Sequence, residues 1–146
     1  MSIRTLLSSV IGAFVAMNLA GADGGVPHPV LPDTVEWSSP PGNPDVRGAW
    51  MVGSQDSPGI YAFRVKITEG ARIPPHTHPD MRFTTVLSGT LYVGFGDEVV
   101  DADMVPVPIG AVYIAPAGQA HYLWARDGDV EYQESGVGPT AVVPAR

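Results

Sequence analysis

The sequence contains no cysteine, which excludes disulfides, thiolate metal sites, a cysteine nucleophile and a lipid-modified N-terminal cysteine together. Any metal must be held by His, carboxylates or softer minor ligands. Positive charge is scarce: 8 Lys and Arg stand against 15 Asp and Glu, a formal net charge of -7. A polyanion such as DNA or RNA would be repelled, because binding it depends on clustered cations that release counterions. Nucleic acid is therefore not expected as a partner. Convincing amphipathic helices, internal repeats and low-complexity tracts are also lacking. What the chain has in abundance is turn residues, 17 Gly and 15 Pro, too many for the uninterrupted segments of a helical bundle but suited to short strands joined by tight turns. The composition describes one small all-β domain.

The first 22 residues read as a secretory signal rather than as part of the fold. Arg4 supplies a short positive start, LLSSVIGAFVAMNL from Leu6 to Leu19 is apolar and uncharged, and Ala20-Gly21-Ala22 places small residues where a signal peptidase cuts. The run is shorter than the roughly 20 residues of a spanning helix, and an uncleaved N-terminal anchor is the competing reading. Cleavage after Ala22 would release a periplasmic or secreted protein without a membrane attachment, and its metal would be acquired after export. A single Arg before the apolar run excludes a twin-arginine signal. Residues 23–47 form a proline-interrupted arm, with Val35, Glu36 and Trp37 as a possible edge strand. His28, between two prolines of that arm, reads as a solvated loop histidine unless the arm folds back over the domain.

Residues 48–146 carry a period of two. Tyr61, Phe63, Val65 and Ile67 alternate with Ala62, Arg64, Lys66 and Thr68, and Leu91, Val93 and Phe95 repeat the pattern, the signature of strands with one face in a core. Further strands are expected at 49–52, 83–88, 105–107, 111–114, 120–125, 130–134 and 137–143. About ten short strands at this spacing point to a sandwich or a small barrel.

Candidate chemistry concentrates in two stretches. In GARIPPHTHPDMRFTTVLSG, from Gly70 to Gly89, His76 and His78 are two apart on an expected strand, so both imidazoles project to one face and can chelate a cation. In GAVYIAPAGQAH, from Gly110 to His121, a strand and a Pro116-Ala117-Gly118 turn would return a third imidazole to the same region. Spacing alone leaves scattered surface or core histidines as the competing reading.

These stretches resemble the paired motifs of the cupin superfamily: Gly, five residues, HxH, three or four residues, Glu, six residues and Gly, then Gly, five residues, PxG, two residues, His, three residues and Asn. Gly70, His76, His78 and Gly89 match the first motif; Gly110, Pro116, Gly118 and His121 match the second. The resemblance implies a double-stranded β-helix, the cupin or jelly-roll barrel. It also implies one divalent transition metal, Zn, Cu, Fe, Mn or Ni, bound by His76, His78 and His121.

Two positions depart from the pattern. The acidic ligand falls on Arg82 and the Asn on Ala125. A guanidinium cannot ligate and opposes a divalent cation at short range. Arg82 could turn aside and leave an open three-histidine site, as in cupin dioxygenases that cleave thiols or diketones. It could instead stand in the pocket and hold a substrate carboxylate. Alternatively, a local slip could turn Met81 inward as a thioether ligand favouring copper. The hydrophobic rule points Arg82 outward, because Met81, Phe83, Thr85 and Leu87 form the more apolar face, whereas motif counting points it inward.

Other candidates are weaker. Asp97, Glu98, Asp101 and Asp103 read as a solvated acidic turn rather than a calcium loop. Tyr113, Tyr122 and Trp124 lie near the second motif, where pocket lining or proton donation competes with packing on the outer face. Arg72 and Asp80 flank the histidine pair at the expected barrel mouth. Two function classes follow: a metal-dependent enzyme of dioxygenase, isomerase or lyase type acting on a small oxygenated or anionic molecule, or a non-catalytic binder of a metal or small ligand. A homodimer is expected, from the resemblance and from Val30, Leu31, Val35 and Trp37 of the arm, which could cover an exposed edge.

Overall fold

The alternation resolves into ten strands in the computed structural model, which describes residues 29–145. The expected signal at 1–22, its cleavage site and His28 lie outside the described residues. The strands are β1 (Val46–Val52), β2 (Gly59–Ile67), β3 (Arg72–Thr77), β4 (Arg82–Ser88), β5 (Thr90–Phe95), β6 (Val105–Pro108), β7 (Val112–Ala115), β8 (His121–Trp124), β9 (Val130–Gly138) and β10 (Val143–Pro144). They pair antiparallel in two five-stranded sheets, ordered β1-β2-β9-β4-β7 and β10-β3-β8-β5-β6. The result is a jelly-roll double-stranded β-helix, in which the chain crosses repeatedly between two facing sheets.

On β2, Tyr61, Val65 and Ile67 are buried while Arg64 and Lys66 reach outward to Glu131 of β9. Ile67, Val86, Leu91, Val93, Leu123 and Tyr132 are buried in the core between the sheets. Full burial of an aliphatic side chain contributes about 1.5–3 kcal/mol against solvent exposure. Ala125, where the cupin pattern has Asn, is a buried member of this core. Its backbone bonds to Gly70 and Ala71 close the entry to β3.

Two stretches differ from the reading of the sequence. Residues 130–138 form one unbroken strand, because β9 stays in register with β2 from Val130 opposite Ile67 to Gly138 opposite Gly59. The chain then leaves this sheet and pairs only at Val143 and Pro144 with β3. The possible edge strand at 35–37 reduces to a single bridge between Ser38 and Gly48. Pro40, Pro41 and Pro44 cannot donate to a longer ladder. Trp37 is held instead by the Lys66 ammonium, 4.2 Å from its ring. Val30 and Leu31 remain exposed, and β1 begins at Val46, inside the segment expected as arm.

The acidic segment 97–104, with its single 3-10 turn at Asp101–Asp103, folds over the outer face of the second sheet. The Tyr122 hydroxyl accepts the Val100 N–H at 2.9 Å and donates to the Val100 carbonyl at 3.2 Å. Its ring lies flat on Gly94, where a Cβ would come within 2.1 Å of it. Arg72 forms a two-pronged pair with Asp101 at 2.6 and 2.9 Å and lies 3.7 Å over Trp124. Tyr122, Trp124 and Arg72 thus serve the outer face, away from the histidines.

Candidate metal centre

His76 lies on β3 directly opposite His121 on β8, and His78 follows the end of β3. The turn before β8 fixes both motifs. Gly118 takes the left-handed backbone conformation, φ +72, that glycine adopts without steric cost, and its N–H donates to the His78 carbonyl at 2.8 Å. The next carbonyl, of Gln119, lies 3.1 Å from His121 Nδ1. Pro74 O is 2.7 Å from His76 Nδ1, and Ala141 O is 2.7 Å from His78 Nδ1. A carbonyl only accepts, so in all three rings Nδ1 carries the proton and Nε2 carries the lone pair.

All three histidines are buried, and one ligand nitrogen from each lies within 4.8 Å of the others. The Nε2 atoms of His78 and His121 have no hydrogen-bond partner. Burial pushes the His76 imidazole down to about 4 and that of His78 down to about 3, with the positive charge of Arg82 adding to both. His121 is lowered by burial as well. The rings are therefore neutral at neutral pH. Three neutral imidazoles with converging nitrogens, two of them orphaned, fit a divalent transition metal such as Zn, Cu, Fe or Ni.

Arg82 faces inward and is only 4% exposed, whereas Met81 is 51% exposed and Phe83 and Leu87 also face solvent. This corrects the hydrophobic rule for β4: the polar face of the strand lines the site and the apolar face lies outside. It also removes Met81 as a ligand. Arg82 donates from one amino group to Glu134 at 2.5 Å and from the other to Thr140 at 2.5 Å, with the Ala141 carbonyl 3.4 Å from that second group. Its Nε is 3.7 Å from Asp80 and lacks a hydrogen-bond partner. Asp80 accepts the Tyr61 hydroxyl at 2.5 Å and also the Thr140 hydroxyl. Burial raises the Glu134 carboxyl, and Arg82 draws it back. Both amino groups of Arg82 are engaged, so a substrate anion meets no free two-pronged edge.

The sequence reading missed Glu134, Thr140 and Tyr61. A signal for Glu134 was present: it falls in phase with Val130 and Tyr132 on β9, a carboxylate on a core face, which demands a buried partner. Tyr113 packs inward, edge-on to Phe95 with centroids 6.4 Å apart, and its hydroxyl is buried without a partner. Asp80 is bound into the network rather than exposed at the mouth.

A cavity of about 780 Å³ opens beside His76 and His78. Trp50, Phe63 and Tyr132 give it an aromatic wall, Arg82 and Glu134 contribute paired charges, and the arm at 38–43 and segment 140–142 complete it. Trp50 and Phe63 pack with their rings tilted by 47° and their centroids 4.7 Å apart, and Gly48 leaves room for the Phe63 ring, because a Cβ there would lie 2.2 Å from it.

Comparison with known proteins agrees with this architecture. A family model described as a cupin domain matches residues 63–132. Germin-like protein 3-1 of rice, Oryza sativa subsp. japonica, is 30% identical over 70 residues, 47% of this chain and 31% of that protein. The match thus spans about a third of the relative's length. Among solved structures, the polyketide cyclase RemF from Streptomyces resistomycificus superposes with a TM-score of 0.64 at 15% identity, covering 78% of this chain and 82% of that one. The DMSP lyase DddQ from Ruegeria pomeroyi DSS-3 also gives 0.64, at 18% identity over 76% and 61% of the two chains. At these identities the structures share the fold.

Proposed function

We propose, from the premise that this chain belongs to the cupin superfamily, that it is an exported metalloenzyme acting on a small oxygenated molecule in the barrel cavity. The observation that carries this reading is the convergence of three neutral imidazoles, with Nε2 orphaned in His78 and His121, beside a cavity of about 780 Å³. His76, His78 and His121 would hold the ion, leaving positions for water or a chelating ligand. When bound, such an ion supplies Lewis-acid polarisation or oxygen activation. The chain's own residues bind and orient: Trp50, Phe63 and Tyr132 offer flat apolar surface to a ring or an unsaturated carbon chain, and the arm at 38–43 limits water entry. The cyclase and lyase among the structural neighbours support small-molecule chemistry of the isomerase or lyase type, and the dioxygenase class remains within the same proposal.

A non-catalytic binder is the second reading, favoured by the internal pairing of Arg82, Glu134, Asp80 and Thr140, which engages both charged side chains that line the cavity among the described residues. Metal-loaded protein and its His121→Ala variant, assayed with uronates, diketones and thiols and by thermal shift, separate the readings. Turnover that disappears in the variant supports the enzyme; ligand-induced stabilisation without turnover supports the binder.

The proposed assembly is a homodimer. Phe83 and Ile114 are register partners on β4 and β7, and with Met81, Leu87 and Val112 they form an exposed apolar patch beside the free edge of β7, the end strand of its sheet. A second copy would cover both the patch and the edge.

A further inference from the structure

Segment 139–144 leaves β9 on one sheet and reaches β10 on the other, passing beside the histidines. Apolar burial does not hold it there, since Val142 and Val143 are exposed and β10 contributes two register pairs. Polar contacts do. The buried Thr140 hydroxyl accepts from Arg82 at 2.5 Å and donates to Asp80, which is itself held by Tyr61. Arg82 is anchored to Glu134 on the neighbouring strand β9 of the same sheet. The adjoining carbonyl, of Ala141, lies within 3.4 Å of the same Arg82 nitrogen and accepts the Nδ1 proton of His78 at 2.7 Å. A continuous path of contacts therefore runs from the residue at the cupin acidic-ligand position to the one histidine whose orienting carbonyl comes from outside its own motif. His76 and His121 take theirs from Pro74 and Gln119, two residues away.

We infer that Arg82 is a positioning residue: with Asp80 and Glu134 it clamps Thr140, so that the Ala141 carbonyl fixes His78 with Nε2 turned to the metal. The inference rests on reading the three histidines as metal ligands. In place of a fourth ligand, the chain supplies a clamp on the carbonyl that orients one of the three. Loss of such an orienting contact weakens metal binding by about 10–100-fold.

The test uses Thr140→Val, which keeps the side-chain shape and removes both hydroxyl contacts, and Arg82→Lys, which keeps the charge but cannot reach two partners through a planar fork. Histidine 15N–1H correlation spectra of the metal-free protein report each ring's tautomer, and zinc titration reports affinity. The wild type should show Nδ1–H in all three rings. Each variant should show mixed tautomers at His78 alone and zinc affinity about 10–100-fold weaker. An unchanged His78 tautomer, or all three rings changing together, would overturn the positioning role, as would zinc affinity within about twofold of wild type. A wild type that takes up no zinc, copper, iron, manganese or nickel would overturn the metal reading instead, and the tautomers would still decide the role of Arg82.

Discussion

The three imidazoles are neutral because they are buried, and that neutrality has a cost in acid. An unfolded histidine takes up its proton near pH 6.5, whereas His76 and His78 in the folded chain are lowered to about 4 and about 3. As pH falls below 6.5 the unfolded state binds more protons than the folded one, so stability present above 6.5 is lost on the way down to pH 4 and below. Each histidine contributes about 1.4 kcal/mol per pH unit over that window. Urea unfolding of metal-free protein at pH 7 and pH 5 should show a clear drop, and a flat profile would contradict the burial account. The Arg82 network sets a second expectation. Arg82→Glu restores the acidic ligand of the cupin pattern, yet places the new carboxylate beside Glu134 and Asp80. Removing one partner of a buried pair costs about 3–5 kcal/mol, so the metal-free variant should be destabilised by that order, and added zinc should recover more stability than it gives the wild type. Equal stability of variant and wild type in urea, with and without zinc, would show that Arg82 carries no buried charge balance.

At the scale of elements, β2 was legible because one face is packed and the other is not, so period-two alternation reports burial directly. β5 is buried on both faces, Leu91 and Val93 in the core and Tyr92 beneath the acidic segment, and was legible from the alternation of Leu91, Val93 and Phe95 alone. The histidine pair, the PxG turn and the third histidine were legible for a different reason: ligand geometry fixes their spacing. On β4 the hydrophobic rule points the wrong way, since the inner face holds Arg82 and Thr84 at the site and the outer face holds Phe83 and Leu87 without cover in a single chain. Thr140 and β10 left no pattern, because two paired residues and a hydroxyl contact are too short to carry a period. The cover on the second sheet gives a test of its own. Gly94→Ala must displace the Tyr122 ring and with it the bonds that hold Val100. Overpacking of this kind costs about 1–3 kcal/mol, whereas Gly118→Ala meets open space and bears only the left-handed strain of about 1–2 kcal/mol. Thermal unfolding of both, with tyrosine fluorescence reporting the 97–104 cover, should show that cover lost in the Gly94 variant and retained in the Gly118 variant.

For the whole molecule, the barrel, the apolar patch on β4 and β7 and the expected signal combine into one proposal: a chain that would be exported before it is loaded and would pair through an outer sheet face, with segment 139–144 passing beside its three histidines. Phe83→Asp together with Ile114→Asp should convert a dimeric mass in light scattering to a monomeric one with metal content unchanged; a wild-type monomer at micromolar concentration would remove the dimer. The central claim is the metal centre, and metal stoichiometry by mass spectrometry tests it most directly, on protein prepared without an affinity tag. The account predicts one divalent transition-metal ion per chain in the wild type and none in His76→Ala, His78→Ala or His121→Ala; a folded wild-type protein that carries no metal and takes up none on titration would contradict it.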